Sequence, residues 1–178
     1  RHMSNSVKSV RIAVDLQGVI IRVVPSEVHA RTFELLGAEQ DIMDMTEAME
    51  RVKANTLDAQ ENPFANTVTY GVHNFHQFHT ASNHFYISRP IFLHRPTFES
   101  WPEELQLEMQ AAVSDAVVFQ RSLKDGEEEA AALEIRESGG ESSELTPEEI
   151  RTFVDTVAPI YDEARGQYRQ ELLDLVGL

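Results

Sequence analysis

Apolar and polar positions alternate in blocks along the chain. Val19 to Val24 is apolar throughout, broken only by Arg22. A continuous run of this kind suits a strand covered on both faces, as in a parallel sheet. Pro25-Ser26 then opens a helix through Leu36, and Gly37 stops it. Ile42 to Met45 reads as a short strand. Thr46 is the expected N-cap of a helix through Ala54, with Asn55 as its stop. Leu57 to Glu61 is a further short strand, and Pro63 suits the first position of a helix running toward Asn74. Thr80 to Leu93 is aromatic and β-branched, which predicts one long extended crossing strand. Pro90 marks an edge or a bend in it.

A different period takes over near Thr97. Leu105, Met109, Ala112, Ala116, Phe119 and Leu123 recur at helical spacing. A helix from Glu103 to Glu137 would be ~50 Å long at 1.5 Å per residue. Gly126 weakens it by about 1 kcal/mol relative to Ala. Phe98 and Trp101 are placed to anchor its start. Gly139 to Ser143 reads as a loop. Thr146-Pro147-Glu148-Glu149 then carries a helix start with an N-cap, a first-turn proline and a capping-box glutamate. Pro159 divides the rest of the chain into two helical pieces. Strands and helices alternate first and helices come after, so the pattern predicts α/β architecture with a helical C-terminal arm.

Charge sharpens the division. The 178 residues hold 30 Asp and Glu against 15 Lys and Arg, a net charge of −15. Residues 1–98 carry 10 acidic and 9 basic side chains; residues 99–178 carry the remaining 20 and 6. An acidic chain is a poor partner for nucleic acid or anionic lipid, which are held by basic surfaces. No cysteine is present, so disulfides, thiolate zinc sites and cysteine nucleophiles are excluded. Apolar runs are too short to cross a bilayer, which takes ~20 residues. Residues 1–6 read as a cloning remnant and a disordered start, with no signal peptide. Residues 7–96 are expected to form an α/β unit with the crossing strand, and residues 97–178 the long helix and the arm.

Arg22 is the residue most suggestive of chemistry. A guanidinium inside an apolar strand is costly unless an anion meets it. Its planar fork suits a carboxylate in two-point geometry. That carboxylate can belong to an internal Asp or Glu or come from outside the chain. Asp58-Ala59-Gln60-Glu61-Asn62-Pro63 ends a strand just before a helix, where open α/β sheets bind ligands. Asn62 offers both a donor and an acceptor, although the same residues can simply cap turns. His73, His76 and His79 have metal-like spacing. On a helix they would fan over too wide an arc to share one ion, and Phe75 and Phe78 between them indicate packing. No metal or cofactor is therefore expected. Glu127 to Glu129 reads as a solvated helix face. No phosphate loop or nucleophile elbow is present, and no enzyme is expected.

Asp15-Leu16-Gln17-Gly18-Val19-Ile20-Ile21-Arg22-Val23 resembles the "DLKGLKIRV" stretch of TRAP transporter solute-binding proteins, the DctP family. The resemblance continues through Leu36-Gly37-Ala38, Glu47, Asp58 to Pro63, Thr80, Asn83-His84, Trp101 to Gln106 and Phe153 to Tyr161. It covers roughly residues 10–176. Ile12-Ala13-Val14 replaces the usual Thr-Pro before "DL", and Ile20 replaces a usual Lys. The resemblance implies a periplasmic-binding-protein-like lobe whose N-terminal partner lobe is missing. It implies a periplasmic receptor that binds a small organic acid for a TRAP membrane permease. It assigns Arg22 to the substrate carboxylate and Asn62 to ligand contact; it sets Met45 along the pocket and His84 near the seam between lobes. Loss of one lobe exposes apolar surface, so self-association as a homo-oligomer or domain-swapped dimer is expected. The competing expectation is an interaction module that self-associates and has lost ligand binding.

Overall fold

The computed structural model describes residues 1–178, the side chain of Asp125 excepted. Six strands form one sheet: β1 (His2–Asn5), β2 (Ile20–Val23), β3 (Glu39–Ile42), β4 (Ala59–Asn62), β5 (Phe78–Ala81) and β6 (Glu141–Glu144). Their order across the sheet is β3-β2-β4-β1-β5-β6. β2 runs parallel to β3 and β4, β5 runs parallel to β6, and β1 is antiparallel to both its neighbours. The fold is thus α/β.

Helices cover both faces. α1 (Glu27–Leu35) ends where Gly37 adopts φ +79°, a turn at which a side chain would be strained. Phe33 of α1 packs with Met3, Leu16, Ile21 and Val23 in the main core. Residues of α6 (Pro147–Val157) close that face through Phe153 and Val157. On the opposite face, Ala48 and Val52 of α2 (Met45–Lys53) pack with Leu57 and Ile20. Beside them, Phe64 of α3 (Phe64–Thr69) meets Ala131 and Ile135 of the long helix. The chain also forms α4 (Arg95–Glu99), α5 (Glu103–Glu137), α7 (Pro159–Gln167) and α8 (Gln170–Asp174).

Several expectations hold. α5 spans Glu103–Glu137 as its periodicity predicts, and Phe98 and Trp101 meet edge to face at its start, ring centroids 5.6 Å apart. α6 starts on the Thr146–Glu149 capping box, and α7 starts at Pro159.

Other expectations need correcting. Residues 1–6 are not a disordered start: His2–Asn5 is a buried strand with a partner on each side. Gly139–Ser143 is not wholly a loop, because Glu141–Glu144 pairs with β5 and brings the C-terminal region into the sheet. β3 lies at Glu39–Ile42 rather than 42–45, since the Asp44 carboxylate accepts from the Glu47 amide and starts α2 two residues earlier than a Thr46 cap would. α3 ends at Thr69, short of Asn74; Gly71 at φ +72° turns the chain. The strand expected over Thr80–Leu93 stops at Ala81, and residues 82–94 run on without a strand partner. Tyr86, Ile91, Phe92 and Leu93 of that segment are exposed. So are Leu105, Phe119 and Leu123 of the stripe on α5. Much of the apolar stripe on this half of the helix is therefore open to solvent.

Candidate functional site

Side chains alternate across a strand, so the pairing register sorts the sheet's polar residues by face. Arg22 pairs with Gln60, Gln60 with Ser4, and Ser4 with His79; these share one face, and Asn62 follows Gln60 on it. Met3 pairs with Glu61 and Thr80 on the other. Arg22 and Asn62 therefore lie on the same face at the C-terminal ends of two parallel strands, where doubly covered sheets place their ligands.

Arg22 is 4% exposed. Its Nε donates to the Met43 carbonyl at 2.9 Å. Among the described residues no carboxylate lies within ion-pair distance of it. Of the two sources of an anion left open by the sequence, the internal one is absent. Burial pulls its pKa below the ordinary guanidinium value, partly offset by the Glu61 charge; an arginine nonetheless stays protonated.

Asn62 is equally buried. Its Oδ1 accepts from Arg1 Nη2 at 3.0 Å, and its Nδ2 donates to Gln60 Oε1 at 2.5 Å. The remaining approach of Nδ2 is to Met45 Sδ at 3.7 Å. Met45 stands on the first turn of α2, which follows β3 directly. The structure thus brings Arg22, Asn62 and Met45 to one end of the sheet.

His84 belongs to a separate cluster. Its Nε2 is 3.6 Å from Glu61 Oε2. Glu61, fully buried, pairs with the Arg1 guanidinium, which also donates to the Glu61 carbonyl at 2.8 Å. Burial pushes the Glu61 carboxyl up, but His84 and Arg1 more than reverse this and hold it below the usual carboxylate range. Burial pushes His84 down, with Glu61 opposing. His29 lies close by, tilted against Phe85 with ring centroids 4.1 Å apart.

Sequence reasoning does not single out Arg1, Gln60 or Glu61 as site residues. Arg1 falls in the first six residues, which carry no strand pattern. Gln60 and Glu61 lie inside a stretch whose clearest ligand group is Asn62. A signal exists for these two: three successive polar residues in a strand flanked by apolar ones must each find a buried partner.

The three histidines of the spaced run sit in a turn and in β5 rather than on one helix. His76 Nδ1 meets Ser4 Oγ at 2.9 Å, and His79 Nε2 meets the His76 carbonyl at 2.9 Å. Among the described residues no group of three or more metal-ligating side chains converges. Two surface cavities of about 330 and 540 Å³ lie away from Arg22. The smaller is apolar and lies between Ile91 to Phe98 and the Met109–Val113 stretch of α5.

Comparison with known proteins sets this geometry in a family. Residues 1–167 match the family described as bacterial extracellular solute-binding protein, family 7. The C4-dicarboxylate-binding periplasmic protein of Rhodobacter capsulatus is 24% identical over 163 residues, covering 91% of this chain and 49% of that protein. The 2,3-diketo-L-gulonate-binding periplasmic protein of Escherichia coli is 24% identical over 157 residues, covering 88% of this chain and 47% of its own. The crystal structure of a TRAP periplasmic solute-binding protein from Shewanella oneidensis with bound succinate superposes with a TM-score of 0.90 at 19% identity, covering 97% of this chain and 57% of that one. One from a Sulfitobacter species with bound β-D-galacturonate gives 0.89 at 23%, covering 98% and 57%. The chain spans about half the length of the relatives it matches. The match takes in residues 2–5, the strand β1. With its fold, its strand-end arginine and a family match over most of its length, the chain belongs to bacterial extracellular solute-binding protein family 7.

Proposed function

We propose that this chain is the carboxylate-holding half of a periplasmic receptor that captures a small organic acid for a TRAP-type membrane permease. The observation that carries the reading is Arg22, a buried cation with a backbone carbonyl on Nε and no internal carboxylate. A buried charge without a counterion is strongly disfavoured, so the anion comes from outside. Arg22 takes the carboxylate in two-point geometry, Asn62 donates to it, and Met45 packs alongside. The names of the relatives, which bind a C4-dicarboxylate or a keto acid, support an organic-acid ligand. They also support a binding role over catalysis.

The second wall of the cleft comes from the half that the relatives possess beyond this chain. Its seat is the uncovered apolar surface formed by residues 86–93 and the first half of α5, including Phe92, Val118 and Phe119. Exposed apolar surface marks an interaction site where it gathers into a large patch. Left uncovered, the same surface drives self-association of the chain.

The test is an NMR titration of the chain with succinate, L-malate and D-galacturonate. The expected result is saturable shifts confined to Arg22, Met45 and Asn62, weakened at least tenfold in Arg22→Lys. Shifts absent for all three acids, or unchanged affinity in the variant, overturn the reading.

A further inference from the structure

Asn62 has a polarity that its neighbours dictate. A guanidinium holds only donors, so the atom of Asn62 facing Arg1 Nη2 is the oxygen, at 3.0 Å. The amide nitrogen then faces Gln60, which must present its own oxygen, at 2.5 Å. Gln60 in turn directs Nε2 to Ser4 Oγ at 2.8 Å and to Thr67 Oγ1 at 3.1 Å. Thr67 gives its hydroxyl proton to the Pro63 carbonyl at 3.2 Å, and so can only accept from Gln60. Ser4 reaches His76 Nδ1 beyond. The relay is anchored by a pure donor at one end and a committed acceptor at the other. Neither amide can flip without breaking two bonds.

We infer that Gln60, a fully buried residue that touches no ligand, is a specificity-determining positioning residue. It locks Asn62 so that this residue presents its N–H, not its oxygen, beside Met45. This deepens the carboxylate reading above and rests on it. The one free N–H of Asn62 points at the Met45 thioether, 3.7 Å away. A thioether is a weak acceptor, and a ligand oxygen displaces it readily. With Arg22 on the same face, the guanidinium and this amide nitrogen both offer N–H donors. An ionised carboxylate is acceptor-only and meets all of them. A carboxamide brings N–H groups that find no acceptor, which in a dry site is the penalised arrangement.

The test compares acetate with acetamide as single-group probes, by NMR titration of the chain, in the unaltered protein, Gln60→Met, Asn62→Ala and the double variant. Gln60→Met is expected to weaken acetate at least threefold. It should lower the acetate-to-acetamide affinity ratio to that of Asn62→Ala, and the double variant should be no weaker than Asn62→Ala. Thr67→Val, which removes the anchoring acceptor, should shift the ratio in the same direction, and it serves if Gln60→Met does not fold. A ratio unchanged in both variants, or additive losses in the double variant, overturns the inference while leaving the carboxylate reading intact. Failure of the unaltered chain to respond to acetate at Arg22 overturns both.

Discussion

Arg22 Nε donates to the carbonyl of Met43 at 2.9 Å, and this is the bond that orients a guanidinium no internal acid neutralises. The bond ties the end of β2 to the turn leading into α2. It leaves the outer nitrogens of the fork for the carboxylate proposed above. A structural arginine would be expected to stabilise the fold. One held for a ligand is a thermodynamic burden until the ligand arrives.

Replacement of Arg22 by Met separates the two roles. An apolar side chain of similar length removes a desolvated charge that no ion pair offsets, so the fold should lose nothing by it. Thermal denaturation should show a midpoint unchanged or raised, while carboxylate-dependent NMR shifts disappear. A drop in midpoint of several degrees would show that the cation stabilises the fold instead.

Glu61→Gln should behave oppositely. Arg1 and Glu61 form a buried pair, their side chains 7% and 0% exposed. Removing one charge strands the other, at a cost of about 3–5 kcal/mol. Urea denaturation should register that loss. A cost below about 1 kcal/mol would mean that water, not Glu61, satisfies Arg1.

Burial lowers the pKa of both His2 and His76 from 6.5 to about 4. Between those values the unfolded chain takes up protons that the folded chain refuses. Stability is therefore complete above about pH 6.5 and falls as the pH drops toward 4, by roughly 2–3 kcal/mol for each histidine. His29, His79 and His84 are shifted the same way by burial. Glu61, held below the usual carboxylate range, adds stability that is lost at still lower pH. The urea midpoint should be level from pH 8 to 7 and fall steeply below 6.5. A level profile down to pH 5 contradicts the burial of these imidazoles.

The features legible in the sequence are those that local chemistry decides. The capping box at Thr146 and the apolar run around Arg22 each carry their structure within a few residues. β1 does not show itself because His2-Met3-Ser4-Asn5 has no apolar alternation. Ser4 is buried through bonds to Gln60 and His76, 56 and 72 positions away. β6 is Glu-Ser-Ser-Glu, and only its pairing with β5 makes it a strand. The opposite error falls on residues 82–94, where β propensity is high and no partner strand is present. Arg22 stands out because a charge in an apolar strand is anomalous. The relay through Gln60 is hidden because its direction depends on which atoms of Arg1 and Thr67 face it.

Two glycines joined by α5 should respond to alanine with opposite signs. Gly126 lies mid-helix, and a Cβ there meets nothing within 4 Å. Alanine at this exposed site gains helix propensity, about 0.5–1 kcal/mol. Gly140 sits between the end of α5 and β6, where a Cβ would come within 2.8 Å of the Ile135 carbonyl oxygen and of its Cγ2 methyl, and 3.1 Å from His79. A carbonyl cannot swing aside as a flexible side chain would, and its oxygen already accepts from the Gly140 amide at 2.9 Å. Gly140→Ala must therefore push β6 from β5 or bend the last turn of α5, at a cost of about 1–3 kcal/mol by analogy with overpacked cores. Urea denaturation reads both variants, and hydrogen exchange at the β5–β6 amides should quicken in Gly140→Ala alone. Equal effects of the two substitutions would mean that the α5–β6 junction is looser than the close approach of Ile135 to Gly140 requires.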